Sequence, residues 1–199
     1  MYKGNSSRIL PIILILIVVA VAIAGLVSVG RMIFGGDQTD PTQVDVGRDA
    51  LLNTSIDRSV RMTVRGPIVA DEEFRSYQVT ISPTSRQIAT YSGYLETPIQ
   101  VQQYSNNVQA YEQFVYALDK ANMMNGQELL EEKNDTRGIC ATGNVYEFEV
   151  LQAGSAVKRL WTSTCKGSPG SFKANVEQVE NLFFDQIPDV REVLKDIDI

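Results

Sequence analysis

From Ile9 to Val29 the chain reads ILPIILILIVVAVAIAGLVSV, twenty-one positions without a charged side chain. A helix rises about 1.5 Å per residue, so such a run covers roughly 30 Å, the hydrocarbon thickness of a bilayer. Lipid offers the backbone no hydrogen bonds, and a helix satisfies its own. Pro11 falls in the first turn, where a missing N–H costs little. The run exceeds the apolar core of a secretory signal, roughly 7–15 residues, and Leu26-Val27-Ser28-Val29-Gly30-Arg31 is a poor small-x-small cleavage site. The spacing predicts a transmembrane helix over residues 9–30 that is retained as an anchor.

Positive charge near the run predicts orientation. Lys3, Arg8 and the amino terminus precede it, whereas Arg31 is followed by Gly35-Gly36-Asp37. The expected layout is a cytoplasmic tail at 1–8, the span at 9–30, a tether at 31–40 and an extracytoplasmic domain at 41–199. The protein is thus expected in the cell membrane as a single-pass chain contacting lipid through residues 9–30. Ala20, Ala24 and Ser28 recur every four residues and mark a candidate helix–helix face for a homodimer.

Charge narrows the partners. Of 18 basic residues, only Lys3, Arg8 and Arg31 precede position 32, and all 24 acidic residues follow it. Residues 32–199 therefore carry a net charge near −9. No nucleic-acid partner is expected of such a domain.

The chain has no histidine. This excludes Ser–His and Cys–His catalysis and removes the commonest general base and zinc ligand. No metal site and no cofactor is expected. Ser155-x-x-Lys158 has the spacing of a serine–lysine nucleophile, but it lies on a hairpin turn rather than a helix start and lacks companion motifs. Glu128, Glu131, Glu132 and Asp135 form an acidic run without the spacing or glycine of a calcium loop, and read as a solvated charge run. Asn53-Thr54-Ser55 and Asn134-Asp135-Thr136 match the N-glycosylation triplet, which matters only in a eukaryotic secretory lumen.

Cys140 and Cys165 flank a hairpin pattern. In an oxidising compartment they are expected to form a disulfide, and closing a loop of about 25 residues stabilises by roughly 3.5 kcal/mol in the chain-entropy model. The reversed topology would leave them as thiols.

Hydrophobic periodicity outlines an α+β domain. Asp40-Pro41-Thr42-Gln43 reads as a helix start, with Val44, Leu51 and Leu52 apolar. Val60, Met62 and Val64 alternate with Arg61, Thr63 and Arg65, as do Tyr77, Val79 and Ile81 with Gln78 and Thr80. Ser82 to Ser85 reads as a turn into a strand over Gln87 to Tyr94, and Ile99 to Val101 as a short strand. Asn106 or Asn107 caps a helix whose face is Tyr111, Phe114, Val115, Leu118 and Ala121, ending at Asn125-Gly126. A second hairpin spans Asn144 to Thr164 about Ala153-Gly154-Ser155. A helix bearing Phe172, Val176, Val179, Leu182 and Phe183 follows, and Pro188-Asp189 opens a short terminal one. The expected fold is an antiparallel sheet of about five strands with helices on one face. Tyr77-x-Val79-x-Ile81 and Tyr146-x-Phe148-x-Val150 hint at a duplicated ββα unit.

Arg61, Arg65, Arg75, Arg86 and Arg159 punctuate the strands. On one exposed face they would bind the anionic groups of a cell-wall polymer. Paired with neighbours such as Glu147 and Glu149 they would be ordinary cross-strand pairs, and the sequence favours that.

The MYKGNSSR tail, the stretch Arg58 to Gly66, and Tyr111 to Lys120 with Cys140 and Cys165 resemble single-pass membrane proteins of small-genome candidate-phylum bacteria. That resemblance implies no particular activity. Lys3-Gly4 before an apolar helix, with an αβ head and a disulfide, is more weakly similar to type IV pilins and pseudopilins. Ile9 stands where those proteins carry glutamate, and Gly35-Gly36 interrupts the helix. The leading expectation is a non-enzymatic anchored domain that binds or scaffolds a protein or cell-wall partner. The alternatives are a pilin-like subunit and a cell-wall enzyme.

Overall fold

The computed structural model describes residues 46–197 and Ile199. The candidate span, the stripe Ala20, Ala24 and Ser28, the tether and the helix start at Asp40 lie outside them. Among the described residues no helix is long and apolar enough to cross a membrane.

The elements run α1 (Val46–Leu52), β1 (Arg58–Arg65), β2 (Arg75–Ile81), β3 (Ser85–Ser92), β4 (Thr97–Ser105), α2 (Val108–Lys120), β5 (Val145–Gln152), β6 (Ser155–Ser163), α3 (Val176–Phe184) and α4 (Val190–Val193). A 3-10 turn at Glu131–Asn134 lies between α2 and β5. The sheet has six strands in the order β4-β3-β2-β1-β5-β6, every pair antiparallel. The count of about five is corrected: the short strand anticipated at Ile99 to Val101 is a nine-residue edge strand. Water reaches both of its faces, so its side chains, glutamines among them, do not alternate between apolar and polar, and pairing to β3 rests on the backbone.

Strand β1 is the axis of the core. Val60, Met62 and Val64 face Ile81, Val79 and Tyr77 on one side and Val150, Phe148 and Tyr146 on the other. The helices cover this face. Phe148 is fully buried, with Phe172 stacked on it at 4.4 Å, and Phe183 meets Phe114 edge-on at 5.3 Å. Truncating a side chain so enclosed costs about 3–5 kcal/mol. The two matching motifs thus flank β1, but β3 lies outside β2 on one side and β6 outside β5 on the other. Strands β2 and β5 run the same way with the same buried face, so no rotation superposes the two hairpins. The arrangement is not a rotated ββα repeat.

Caps define the helices. Asn107 accepts from the Ala110 amide at 2.9 Å and Asn175 from the Gln178 amide at 2.8 Å. Helix α2 ends at Lys120, earlier than Asn125-Gly126. Asn122 adopts a left-handed conformation at φ 57°. Its amide bonds to the Asp119 carbonyl and that of Met123 to Leu118, a Schellman ending that turns Met123 and Met124 into the core. Phe172 is likewise not on α3. It precedes it in a bridge to Gly126, where φ is 148° and a Cβ would meet the Ser171 carbonyl at 2.1 Å.

Candidate functional site

The sheet face opposite the helices carries Arg61, Thr63 and Arg65 of β1, Glu147 and Glu149 of β5, and Arg159 and Trp161 of β6. Register brings these charges together. Arg61 lies directly opposite Glu149 and Arg65 two places from Glu147, while Arg159 faces Glu149 from the other side. Arg61 Nε donates to Glu149 Oε2 at 2.7 Å. Glu147 is held from three directions. Arg65 Nη1 donates to Oε1, Thr136 Oγ1 donates to the same oxygen at 2.6 Å, and Arg159 Nε stands 3.2 Å from Oε2, within ion-pair range but off hydrogen-bond alignment. Arg159 also donates to the Asn134 carbonyl at 2.7 Å, and Arg65 reaches Glu96 at 3.3 Å. Glu147 and Glu149 are buried, so each carboxylate trades water for guanidinium contacts.

The other two arginines lie elsewhere. Arg75 shares the register of Tyr77 and spends its guanidinium on the carbonyls of Glu72 and Phe74 and on Ser92. Arg86 shares the register of Ile88, bonds to the carbonyls of Ser105 and Gln186, and lies over Tyr104. Three arginines share the open face and two do not. Strand parity decides this: 61, 65 and 159 fall on the face away from the core, whereas 75 and 86 share the parity of core positions on their strands.

Above this charged floor lies a cleft of about 620 Å³. One wall comes from the β1–β2 and β3–β4 connections. Tyr94 stacks on Phe74 with centroids 4.2 Å apart, and its hydroxyl donates to the Val69 carbonyl and accepts from the Val69 amide. Asp71 accepts from the Tyr94 amide at 2.8 Å. Ile68, exposed, forms the rim. The other wall is Asp135 to Cys140. Cys140 is bonded to Cys165 with Cα atoms 5.5 Å apart, Ser168 Oγ donates to the Ile139 carbonyl, and the Ile68 amide donates to Ala141 across the end of the cleft. Both walls are therefore tied to the sheet.

The cleft is apolar along Ile68, Phe74, Tyr94, Ile139 and Val145 and polar along its floor. Its charges balance: Arg65, Arg137 and Arg159 against Glu96, Asp135 and Glu147. Arg137 hydrogen bonds to Asp135 and holds that carboxyl down at about 2. Held that low, Asp135 is poorly placed to act as a general acid. The acidic run is partly spent: Glu128 accepts from Asn134, and Asp135 pairs with Arg137. Lys158 Nζ donates to the Met124 carbonyl at 3.0 Å. Among the described residues no three Cys, Asp or Glu side chains converge to hold a metal ion.

Sequence reasoning missed the cleft. Its walls come from three connections far apart in sequence, and the one advance signal was Cys140, which pins the second wall. No protein-family model matches the chain, and no curated protein is similar to it.

Proposed function

We propose that this protein is a membrane-anchored extracytoplasmic binding or scaffolding domain, and that the cleft on the open sheet face receives its partner. The observation that carries this reading is the pairing of an apolar wall with a floor whose charges are mutually neutralised. In a domain with net charge near −9, that makes the cleft a nearly neutral, partly apolar recess. Such a recess favours an uncharged ligand or a protein segment offering apolar side chains over a polyanion, which would have to displace Glu147 from Arg65 and Arg159. The disulfide and the Tyr94 clamp hold the walls before binding, which lowers the ordering cost.

The anchor reading rests on the apolar run, and the outside location on the charges beside it and on the disulfide. A full chain carrying Ile68→Cys tests place and access together, since the two native cysteines are bonded to each other. A membrane-impermeant maleimide is expected to label it in intact cells. Labelling only after lysis would contradict the reading.

A further inference from the structure

The two edges of the sheet are treated differently. The β6 edge is closed by the chain itself: the amides of Ser171 and Phe172 both donate to the Trp161 carbonyl at 2.9 Å, and Thr162 and Ser163 bond to the carbonyls of Pro169 and Ser168. Gly170, at φ 67°, permits this, because a Cβ there would meet the Trp161 carbonyl at 2.1 Å. The β4 edge pairs only with β3 among the described residues.

Strand β4 also lacks the usual protection. Edge strands are commonly blunted by charged side chains, yet no charged residue occurs from Thr97 to Tyr111. Pro98 and the irregularity between Thr90 and Tyr91 guard only the first residues of the strand. The ladder fixes which groups face outward. The Asn106 amide donates to the Thr84 carbonyl, so by antiparallel alternation Tyr104, Gln102 and Gln100 turn their peptide groups toward β3. Those of Val101, Gln103 and Ser105 face away from it.

We propose that this edge is the docking surface for a second copy of the chain, joined β4 to β4 about a two-fold axis at Gln103. Antiparallel pairing of identical strands is self-complementary, as an isologous interface requires. With the axis at Gln103, Val101 faces Ser105 of the second copy and Gln103 faces itself. All three outward residues are used, and Pro98 and Ile99 are left outside. The Ser105 carbonyl, which accepts from Arg86, keeps a second lone pair. Charge favours this surface: two acidic domains repel, and β4 brings no charge of its own to the seam, where Arg86 of β3 adds a cation at Ser105. The result is a continuous twelve-stranded sheet.

The test uses the full chain purified in mild detergent. Gln103→Cys is expected to be bridged into dimers by a short bismaleimide well ahead of Gln113→Cys on exposed α2. Gln103→Lys and Gln103→Glu, each placing like charges across the axis, are expected to elute as monomers by light scattering and to form a mixed dimer when combined. A monomeric parent chain, bridging no faster at 103 than at 113, or capture of another protein's strand by β4 without self-association would each overturn the proposal.

Discussion

Glu147 of β5 and Arg159 of β6 meet at 3.2 Å on the sheet face away from the helices, and with Arg65 they lock the floor of the cleft. Glu147 is buried while the two arginines keep about a third of their side-chain surface. Replacing Glu147 by Gln takes the buried counter-charge from Arg159 and leaves Arg65 only its longer contact with exposed Glu96. The expected loss is about 2–3 kcal/mol in urea unfolding, below the range for a fully buried pair because the arginines remain partly hydrated. A loss within 0.5 kcal/mol, roughly the scale of a neutral surface change, would mean the pairs are solvated.

Tyr94 joins the β3–β4 turn to the β1–β2 connection through its stack on Phe74 and its bonds at Val69. Tyr94→Ala is expected to destabilise by about 1–2 kcal/mol. Amide exchange should quicken across Ile68 to Phe74 while the β1 and β5 amides stay protected. Uniform acceleration would show global rather than local loosening.

Reduction of Cys140–Cys165, or the double change to Ser, is expected to lower stability by about 3.5 kcal/mol, the loop-closure value for its separation of 25 residues. Calorimetry with and without reductant measures this directly. Exchange at Asp135 to Ala141 should rise most.

Glu180 gives a pH signature. Burial raises its carboxyl, against the hydrogen bond it accepts from Tyr77 at 2.7 Å, with Glu177 adding to the rise. The native state therefore keeps this proton to higher pH than the unfolded chain does. Its contribution is full below the ordinary carboxylate range and is lost as pH rises through and above it. Asp119 has the opposite sign. Arg48 holds it low, so its contribution is present above the ordinary range and fades as pH falls. Glu180→Gln is expected to make stability fall less as pH rises from about 4 to 8 than it does in the parent. An unchanged profile would contradict the assignment.

Strong periodicity was legible and weak periodicity was not. Val60-Met62-Val64 and Tyr77-Val79-Ile81 announced buried strand faces, and the asparagine before α2 announced its cap. Strand β4 shows in the sequence only as a fragment because Gln100, Gln102 and Gln103 leave no apolar alternation. The sequence predicts α2 too long because an asparagine, not a glycine, takes the left-handed position. Spacing predicts Phe172 on a helix, whereas a bridge to Gly126 places it. Arg61, Arg65 and Arg159 could be put with Glu147 and Glu149 only once the β1–β5 register was known, because 82 residues separate Arg65 from Glu147.

Occupation of the cleft by a partner is what the proposed function requires. Its most direct test is photo-crosslinking in the cells that make the protein, with p-benzoylphenylalanine at Ile68 on the cleft rim or at Tyr116, an exposed position on α2. A discrete adduct from position 68 that is absent from position 116 is the predicted result. Adducts of equal yield from both positions, or none from 68, would contradict it.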